Sequence, residues 1–345
     1  MKTVLHILNT NTYSGAENVA ITIIRAMSRL YPDYRLVYVS PDGPIRDRLS
    51  AEGVEFEPVQ KLSRREMRRV VKKYSPDLIH AHDFTASVVS AFATRVPLIS
   101  HIHNNPPWLG RICPRTLAYG LTSPRYKHVL GVSPSVFEEY IFGGLIKKKS
   151  HVIGNPIDLQ TIRDAAERAE NIDGYDVVFL GRLSEPKNPV MFVDVIAELL
   201  ERVAVRVAMI GDGEMKECVK ERIESLGLGE CVTMLGFLDN PHGVLASSRL
   251  LCMTSTWEGY GLVAAEALAL GKPVVATPVG GVPTIITGGE GRLCESVTDF
   301  VLAIESLLKD GDEYSSASRL ALKRASEIDN LGEYAEKINR FYSGE

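Results

Sequence analysis

The sequence predicts an α/β protein built from two doubly wound, Rossmann-like domains facing across a cleft. Three observations carry this. Short apolar runs, mostly six to eight residues long, alternate with amphipathic stretches, the pattern of parallel sheets covered by helices on both faces. The alternation occurs in both halves of a 345-residue chain, which is longer than most single domains. There is no short-period repeat or low-complexity tract to suggest a solenoid instead.

In the first half the strands are TVLHIL, RLVYVS, VEFEPV, DLIHAH, PLISHIH, HVLGVS and HVIGN. Helical segments such as AENVAITIIRAMSRL, SRREMRRVVKKY and ASVVSAFATR separate them. The second half repeats the pattern with YDVVFLGRL, VRVAMIGDG, CVTMLGF, RLLCMTS, KPVVATP and GRLCES. The boundary is expected near Asn155-Pro156, giving a first domain over 1–155, a polar linker over 156–174 and a second domain over 175–327. A C-terminal helical segment, 328–345, is expected to cross back to the first domain.

Composition narrows the class. Hydrophobic residues make up 45% and charged residues 24%, as in a soluble globular protein. The opening MKTVLHILN mimics a signal peptide, but its apolar run is short and Asn9, Thr10 and Asn11 follow, so a first strand is expected. No run approaches the roughly 18 apolar residues that span a bilayer. Five scattered cysteines without Cys-x-x-Cys spacing fit a reducing cytoplasm and argue against a disulfide framework or zinc site. Residues 1–155 hold 21 Lys+Arg against 12 Asp+Glu, and the remainder 18 against 31. A basic half beside an acidic one suggests that the basic half faces something anionic, or that the two attract each other.

The segment STWEGYGLVAAEALALGKPVV, 255–275, poses the chemical question. Glu258 and Glu266 stand eight positions apart, and Glu266 interrupts an apolar helix, where a carboxylate is costly without a polar partner. Gly259 and Gly261, with Tyr260 and Leu262, would let backbone N–H groups approach an anion at the positive end of the helix. Eight helical residues span about 12 Å, so the two carboxylates are expected to grip hydroxyls on either side of a diphosphate. The competing reading is a capping box, Ser255-x-x-Glu258, with Glu266 on a helix surface. Arg182 and Lys187, in GRLSEPKN just after a strand, would neutralise the diphosphate as it leaves. A nucleotide-sugar has the required layout.

Together these segments resemble glycosyltransferase family 4, retaining enzymes of the GT-B fold. The matching stretches are TYSGAENVA, DLIHAH, SHIHNN, GVSPS, VIGNPID, GRLSEPKN, IGDGE, LGFLDN, the Glu-x₇-Glu run and ATPVGGVP, in order along nearly the whole chain. The resemblance implies an N-terminal acceptor domain and a C-terminal nucleotide-sugar domain. By similarity Glu266 holds the ribose, Glu258 lies beside the transferred sugar, and Arg182 and Lys187 hold the diphosphate. Gly15 would lie in a loop closing on the donor, His103 near the sugar's reacting carbon, and the uracil of a UDP-sugar near Gly236 and Phe237. Thr284 departs from the family, which usually has Glu there. The expected reaction is hexosyl or N-acetylhexosaminyl transfer to a glycan or lipid-linked acceptor, with a nucleotide-sugar epimerase or a non-catalytic sugar-nucleotide binder as alternatives.

Other motifs take blander readings. Gly211-Asp212-Gly213 lacks the next glycine of a dinucleotide fingerprint, since position 216 is Lys. Asp310 and Asp312 read as a solvated turn. His80, His82, His101 and His103 fall on two separate strand ends without a tight ligand motif, so no metal or other cofactor is expected, and no nucleic-acid partner. In residues 61–74, Arg65, Arg68, Arg69, Lys72 and Lys73 occupy one face of a helix opposite Met67, Val70 and Val71. That face would suit either an anionic membrane surface or plain solvent, and a cytoplasmic protein peripheral to the membrane is the expectation. Trp108 and Arg111 are further candidates for membrane or acceptor contact.

Overall fold

The computed structural model describes residues 1–169 and 174–344. It divides into two units, Met1–Pro156 with Asn330–Glu345, and Ile157–Asp329.

The first unit begins β1 (Lys2–Ile7), α1 (Gly15–Leu30), β2 (Tyr34–Pro41), α2 (Ile45–Ala51), β3 (Glu55–Val59), α3 (Arg64–Tyr74). It continues β4 (Leu78–His82), α4 (Asp83–Ala93), β5 (Leu98–Ile102), α5 (Pro114–Thr122), β6 (Tyr126–Gly131), α6 (Ser135–Glu138) and β7 (Ser150–Val152). Its parallel sheet runs β3-β2-β1-β4-β5-β6-β7. The order reverses between β1 and β4, the switch point beyond whose carboxyl edge doubly wound sheets bind ligands. The central strands β4 and β5, LIHAH and LISHI, bury every residue, as parallel strands covered on both faces do.

The second unit opens with α7 (Leu159–Glu167), inside the stretch read from the sequence as a linker. Asp158 caps it by accepting from the Thr161 amide, and Leu159 and Ile162 join the core. Two apolar residues three apart were enough to anchor a short helix in an otherwise polar segment. Then follow β8 (Val177–Leu180), α8 (Pro189–Leu200), β9 (Val207–Ile210), α9 (Lys216–Ser225), β10 (Val232–Gly236) and α10 (His242–Ser247). The unit closes with β11 (Leu250–Met253), α11 (Leu262–Ala269), β12 (Val274–Ala276), α12 (Val282–Ile285), β13 (Gly291–Leu293), α13 (Val297–Lys309) and α14 (Gly311–Ile328). Its sheet order is β10-β9-β8-β11-β12-β13, with the switch point between β8 and β11. Along β8, Val177 and Phe179 enter one core cluster and Val178 the other, the two-residue alternation of a strand buried on both faces. Asp310 accepts from the amides of Asp312 and Glu313, so that acidic turn is a helix cap.

The last helix, α15 (Leu331–Ser343), belongs with the first unit. Tyr334, Ile338 and Tyr342, four apart on one face, are buried, and Tyr342 reaches the rings of His6 and His80. Among the described residues no helix is long and apolar enough to cross a membrane.

Candidate functional site

The second unit builds its site from four loops, after β8, β9, β11 and β12, stacked at the carboxyl ends of neighbouring strands. After β8, the Gly181 amide donates to the Ile210 carbonyl and that of Leu183 to the Asp212 carbonyl. A Cβ on Gly211 would lie 1.9 Å from the Gly181 carbonyl oxygen, and one on Gly213 would lie 2.3 Å from that of Leu183. Gly-Asp-Gly thus lets two loops lie backbone to backbone. After β11, the Thr256 amide donates to the Pro186 carbonyl, and Thr254 Oγ1 to that of Asn188 at 2.9 Å. After β12, the Gly281 amide donates to the Gly259 carbonyl, and a Cβ on Gly280, at φ +56°, would fall 1.7 Å from the Glu258 carbonyl oxygen.

This stacking brings Lys187 to Glu258 across the switch point. Lys187 Nζ pairs with Glu258 Oε1, and Ser255 Oγ donates to the same oxygen at 2.9 Å. The carboxylate is buried, as its two donors allow. Gly261, at φ +95°, begins α11 with no side-chain cap, leaving the first amides of the helix without side-chain competition.

Three expectations change here. Helix α11 starts at Leu262, so Glu258 lies in the loop before it and the 12 Å helical spacing of the two glutamates does not apply. The Ser255–Glu258 bond exists but caps no helix. Arg182 pairs elsewhere than Lys187: 73% exposed, it donates to Glu214 through Nε at 3.1 Å. Loop β9 lies beside loop β8, and its carboxylate is within reach of that guanidinium.

Glu266 finds its partner in His242 at the start of α10, Oε2 to Nε2 at 3.5 Å. His242 Nε2 is buried and makes no hydrogen bond among the described residues. Ala264, Ala265, Ala267 and Leu268 are buried around α11 while Glu266 stays partly exposed, so the acid occupies the polar edge of an apolar helix. Tyr260 and Leu262 pack on the core of the unit, and burial raises the Tyr260 hydroxyl above the usual phenol range. Gly236 ends β10 at φ +69°, and Phe237 after it is 63% exposed. Thr284 turns its hydroxyl onto the Gly281 carbonyl at 2.6 Å.

In the first unit Gly15 opens α1, and both Thr10 and Ser14 hydroxyls donate to the buried Glu17 carboxylate of its first turn. The four histidines do fall on two strand ends, but the two strands are adjacent, so the ends meet. Strands β4 and β5 are neighbours with His82 opposite His101, and β1 sets His6 opposite His80. His6, His80 and His82, and also His82, His101 and His103, offer ligand atoms within 4.8 Å of one another. Their nitrogens are largely engaged with each other: His82 Nδ1 meets His103 Nε2 at 2.8 Å. Burial pushes His6 and His103 down to about 3 and the other three well below the ordinary imidazole value. Asp83, at φ +66°, accepts from the His103 amide at 2.9 Å, and burial raises its carboxyl to about 7.

The basic helix α3 spends part of its charge internally. Arg69 and Lys73 both pair with Glu57, a buried carboxylate on β3, while Met67 and Val70 pack inward. Arg68 donates to the Ala93 carbonyl at 3.3 Å, and Arg65 and Lys72 are exposed. Trp108 packs edge-on against Phe84 at 5.0 Å with Arg115 over its ring, so it serves as loop packing. Ile112, next to Arg111, is 68% exposed, and Leu117 and Leu121 on α5 are exposed as well.

Two family models match in succession. One, described as Glycosyltransferase Family 4, covers residues 13–161; the other, Glycosyl transferases group 1, covers 161–324. The chain belongs to glycosyltransferase family 4. An uncharacterized glycosyltransferase of Methanocaldococcus jannaschii is 29% identical over 242 residues, 63% of this chain and 60% of that protein. The poly(glycerol-phosphate) alpha-glucosyltransferase of Bacillus subtilis is 30% identical over 180 residues, 51% of this chain and 26% of that protein. The matched stretch thus spans less than two thirds of either relative's own length. Anabaena HepE in complex with UDP and glucose shares the fold, with a TM-score of 0.88 at 22% identity over 100% of both chains.

Within this family-4 chain, the sequence reading missed Ser255, Glu17, Asp83, His242 and Tyr342. Ser255 was visible three residues before Glu258 but was read as a cap. Glu17 also had a local signal, Ser14 three residues before it, whereas Asp83, His242 and Tyr342 had none, because their partners lie on other elements.

Proposed function

We propose that this chain transfers a hexosyl or N-acetylhexosaminyl group from a UDP-sugar to a glycan or lipid-linked acceptor, with retention of configuration and without a metal. The observation that carries the reading is the Lys187–Glu258–Ser255 cluster at the β8/β11 switch point, beside the uncapped start of α11. Lys187 and the amides at 259–261 supply positive charge where a departing diphosphate would develop negative charge. Arg182 joins them by exchanging Glu214 for phosphate, since its exposed side chain is free to swing. Glu266 and His242 take the ribose hydroxyls, and Glu258 the transferred sugar. The leaving phosphate oxygen accepts the proton of the attacking hydroxyl, so no further base is assigned. Support for UDP comes from Anabaena HepE, which holds UDP and glucose in the same fold. The basic first half and the exposed Arg65 and Lys72 support docking on an anionic membrane surface.

Thermal-shift measurement against UDP-, GDP- and ADP-sugars tests the donor. A UDP-sugar at 100 times its Kd should stabilise the fold by about 2.7 kcal/mol. Glu266→Ala should weaken that binding, and Arg182→Ala should lower kcat more than it raises KM. Near-normal transfer by both variants would remove the site assignment.

A further inference from the structure

The five buried histidines and Tyr342 form one unbranched chain of hydrogen bonds. His101 Nδ1 meets His80 Nε2 at 3.1 Å, and His80 Nδ1 meets the Tyr342 hydroxyl at 2.7 Å. The same hydroxyl meets His6 Nε2 at 3.1 Å, His6 Nδ1 meets His82 Nε2 at 3.1 Å, and His82 Nδ1 meets His103 Nε2. The two ends, His101 Nε2 and His103 Nδ1, are buried and have no hydrogen-bond partner among the described residues. Their rings lie side by side, centroids 4.1 Å apart.

Counting protons fixes what the ends present. Each neutral imidazole carries one N–H and one bare nitrogen, and the phenol carries one O–H. Six protons serve five links, so one proton is left for one end: one end donates and the other accepts. Only two arrangements satisfy every link, all five histidines protonated on Nε2 or all five on Nδ1. Tyr342 decides between them. An O–H donor makes shorter bonds than an N–H donor, and the Tyr342 hydroxyl is closer to His80 than to His6. It therefore donates to His80 and accepts from His6. All five rings then carry Nε2–H, which leaves His103 Nδ1 bare and His101 Nε2–H free to donate.

We propose that Tyr342 is a positioning residue that sets the tautomer of His103 through this chain, and that the paired ends take one hydroxyl group, of a sugar or of water. A hydroxyl both donates and accepts, as the two ends require. A cation bridging both would first need the chain to lose a proton, and an anion would meet a bare nitrogen. Burial keeps the rings neutral, which the count needs. The sugar form of the ligand rests on the donor reading above; the tautomer assignment does not.

The test is a long-range ¹H–¹⁵N correlation spectrum of the full chain labelled with ¹⁵N-histidine, at pH 7.5. The five buried histidines, assigned by single substitutions, should all show the Nε2–H pattern. A mixture of tautomers or any imidazolium among them in the wild-type protein overturns the proposal, whether or not variants fold. Tyr342→Phe cuts the chain at its middle, so His6, His82 and His103 should lose the common tautomer. In that variant kcat should fall about tenfold while UDP affinity stays unchanged; a common Nε2–H pattern persisting in it overturns the role of Tyr342. A His103 Nδ1 resonance already displaced toward a hydrogen-bonded value without ligand identifies water. Further displacement with UDP-sugar but not with UDP identifies a sugar hydroxyl. One equivalent of Zn²⁺ that binds with proton release at His101 and His103 would show a metal site in place of a hydroxyl site. Absence of any UDP-sugar binding would sink the donor reading and leave the tautomer result standing.

Discussion

Glu258 is a buried carboxylate whose oxygen accepts from both Lys187 and Ser255. Removing the cation from such a pair leaves a buried charge with half its partners, which costs more than the pair itself contributes. Lys187→Ala should therefore lower kcat by about 10² to 10³, the range seen when one oxyanion-type donor is lost. Steady-state kinetics check it, and a kcat within threefold of wild type would detach Lys187 from the chemistry. Both residues were legible in the sequence because each follows a strand end, where doubly wound sheets bind ligands. Arg182 was equally legible, but its pairing with Glu214 was not, since it depends on β9 lying next to β8. His242, opposite Glu266, carries no local signal at all.

At the scale of elements, α3 shows why periodicity gives a face and not its use. Its basic arc was plain in the sequence, yet Arg69 and Lys73 fold back onto Glu57 of β3. Replacing Arg65, Arg68 and Lys72 with Gln leaves that ion-pair cluster intact. At on the order of 1 kcal/mol per cation, binding to anionic vesicles should weaken by about 10². Unchanged vesicle partitioning would mean that α3 only covers its sheet. Helix α7 teaches the reverse lesson: Leu159 and Ile162 are a weak signal in a polar stretch, and the core that receives them is made by residues far along the chain. Gly211 and Gly213 read as an incomplete dinucleotide fingerprint, and Gly280 and Gly281 only as part of the ATPVGGVP match. Their contacts show a second use, close stacking of adjacent loops.

Acid response belongs to the whole molecule, because the groups behind it sit on or just after β1, β4 and β5 of the first unit's sheet. His6 and His103 titrate near 3 when folded, against 6.5 ordinarily. Between those values the unfolded chain binds protons that the folded chain refuses, so stability rises with pH over about 3 to 6.5 and falls on acidification. His80, His82 and His101 shift the same way. Asp83 opposes them: raised from 3.8 to about 7, it stays protonated when folded, and its contribution is lost as pH rises across that window. The histidines outnumber it. Each contributes up to about 1.4 kcal/mol per pH unit, so urea midpoints should drop from pH 6.5 to pH 5, and more steeply in Asp83→Asn. Midpoints that hold constant or rise would refute the linkage.

The sequence by itself determined the two doubly wound units, the order of their strands' motifs and the family, because apolar periodicity and strand-end residues are local properties. Only the tertiary structure decided which strand-end residues meet. Parallel strands adjacent in a sheet come from distant parts of the chain, so the Lys187–Glu258 pair, the Arg182–Glu214 pair and the six-member chain ending at His101 and His103 exist only once the crossovers have set the sheet order.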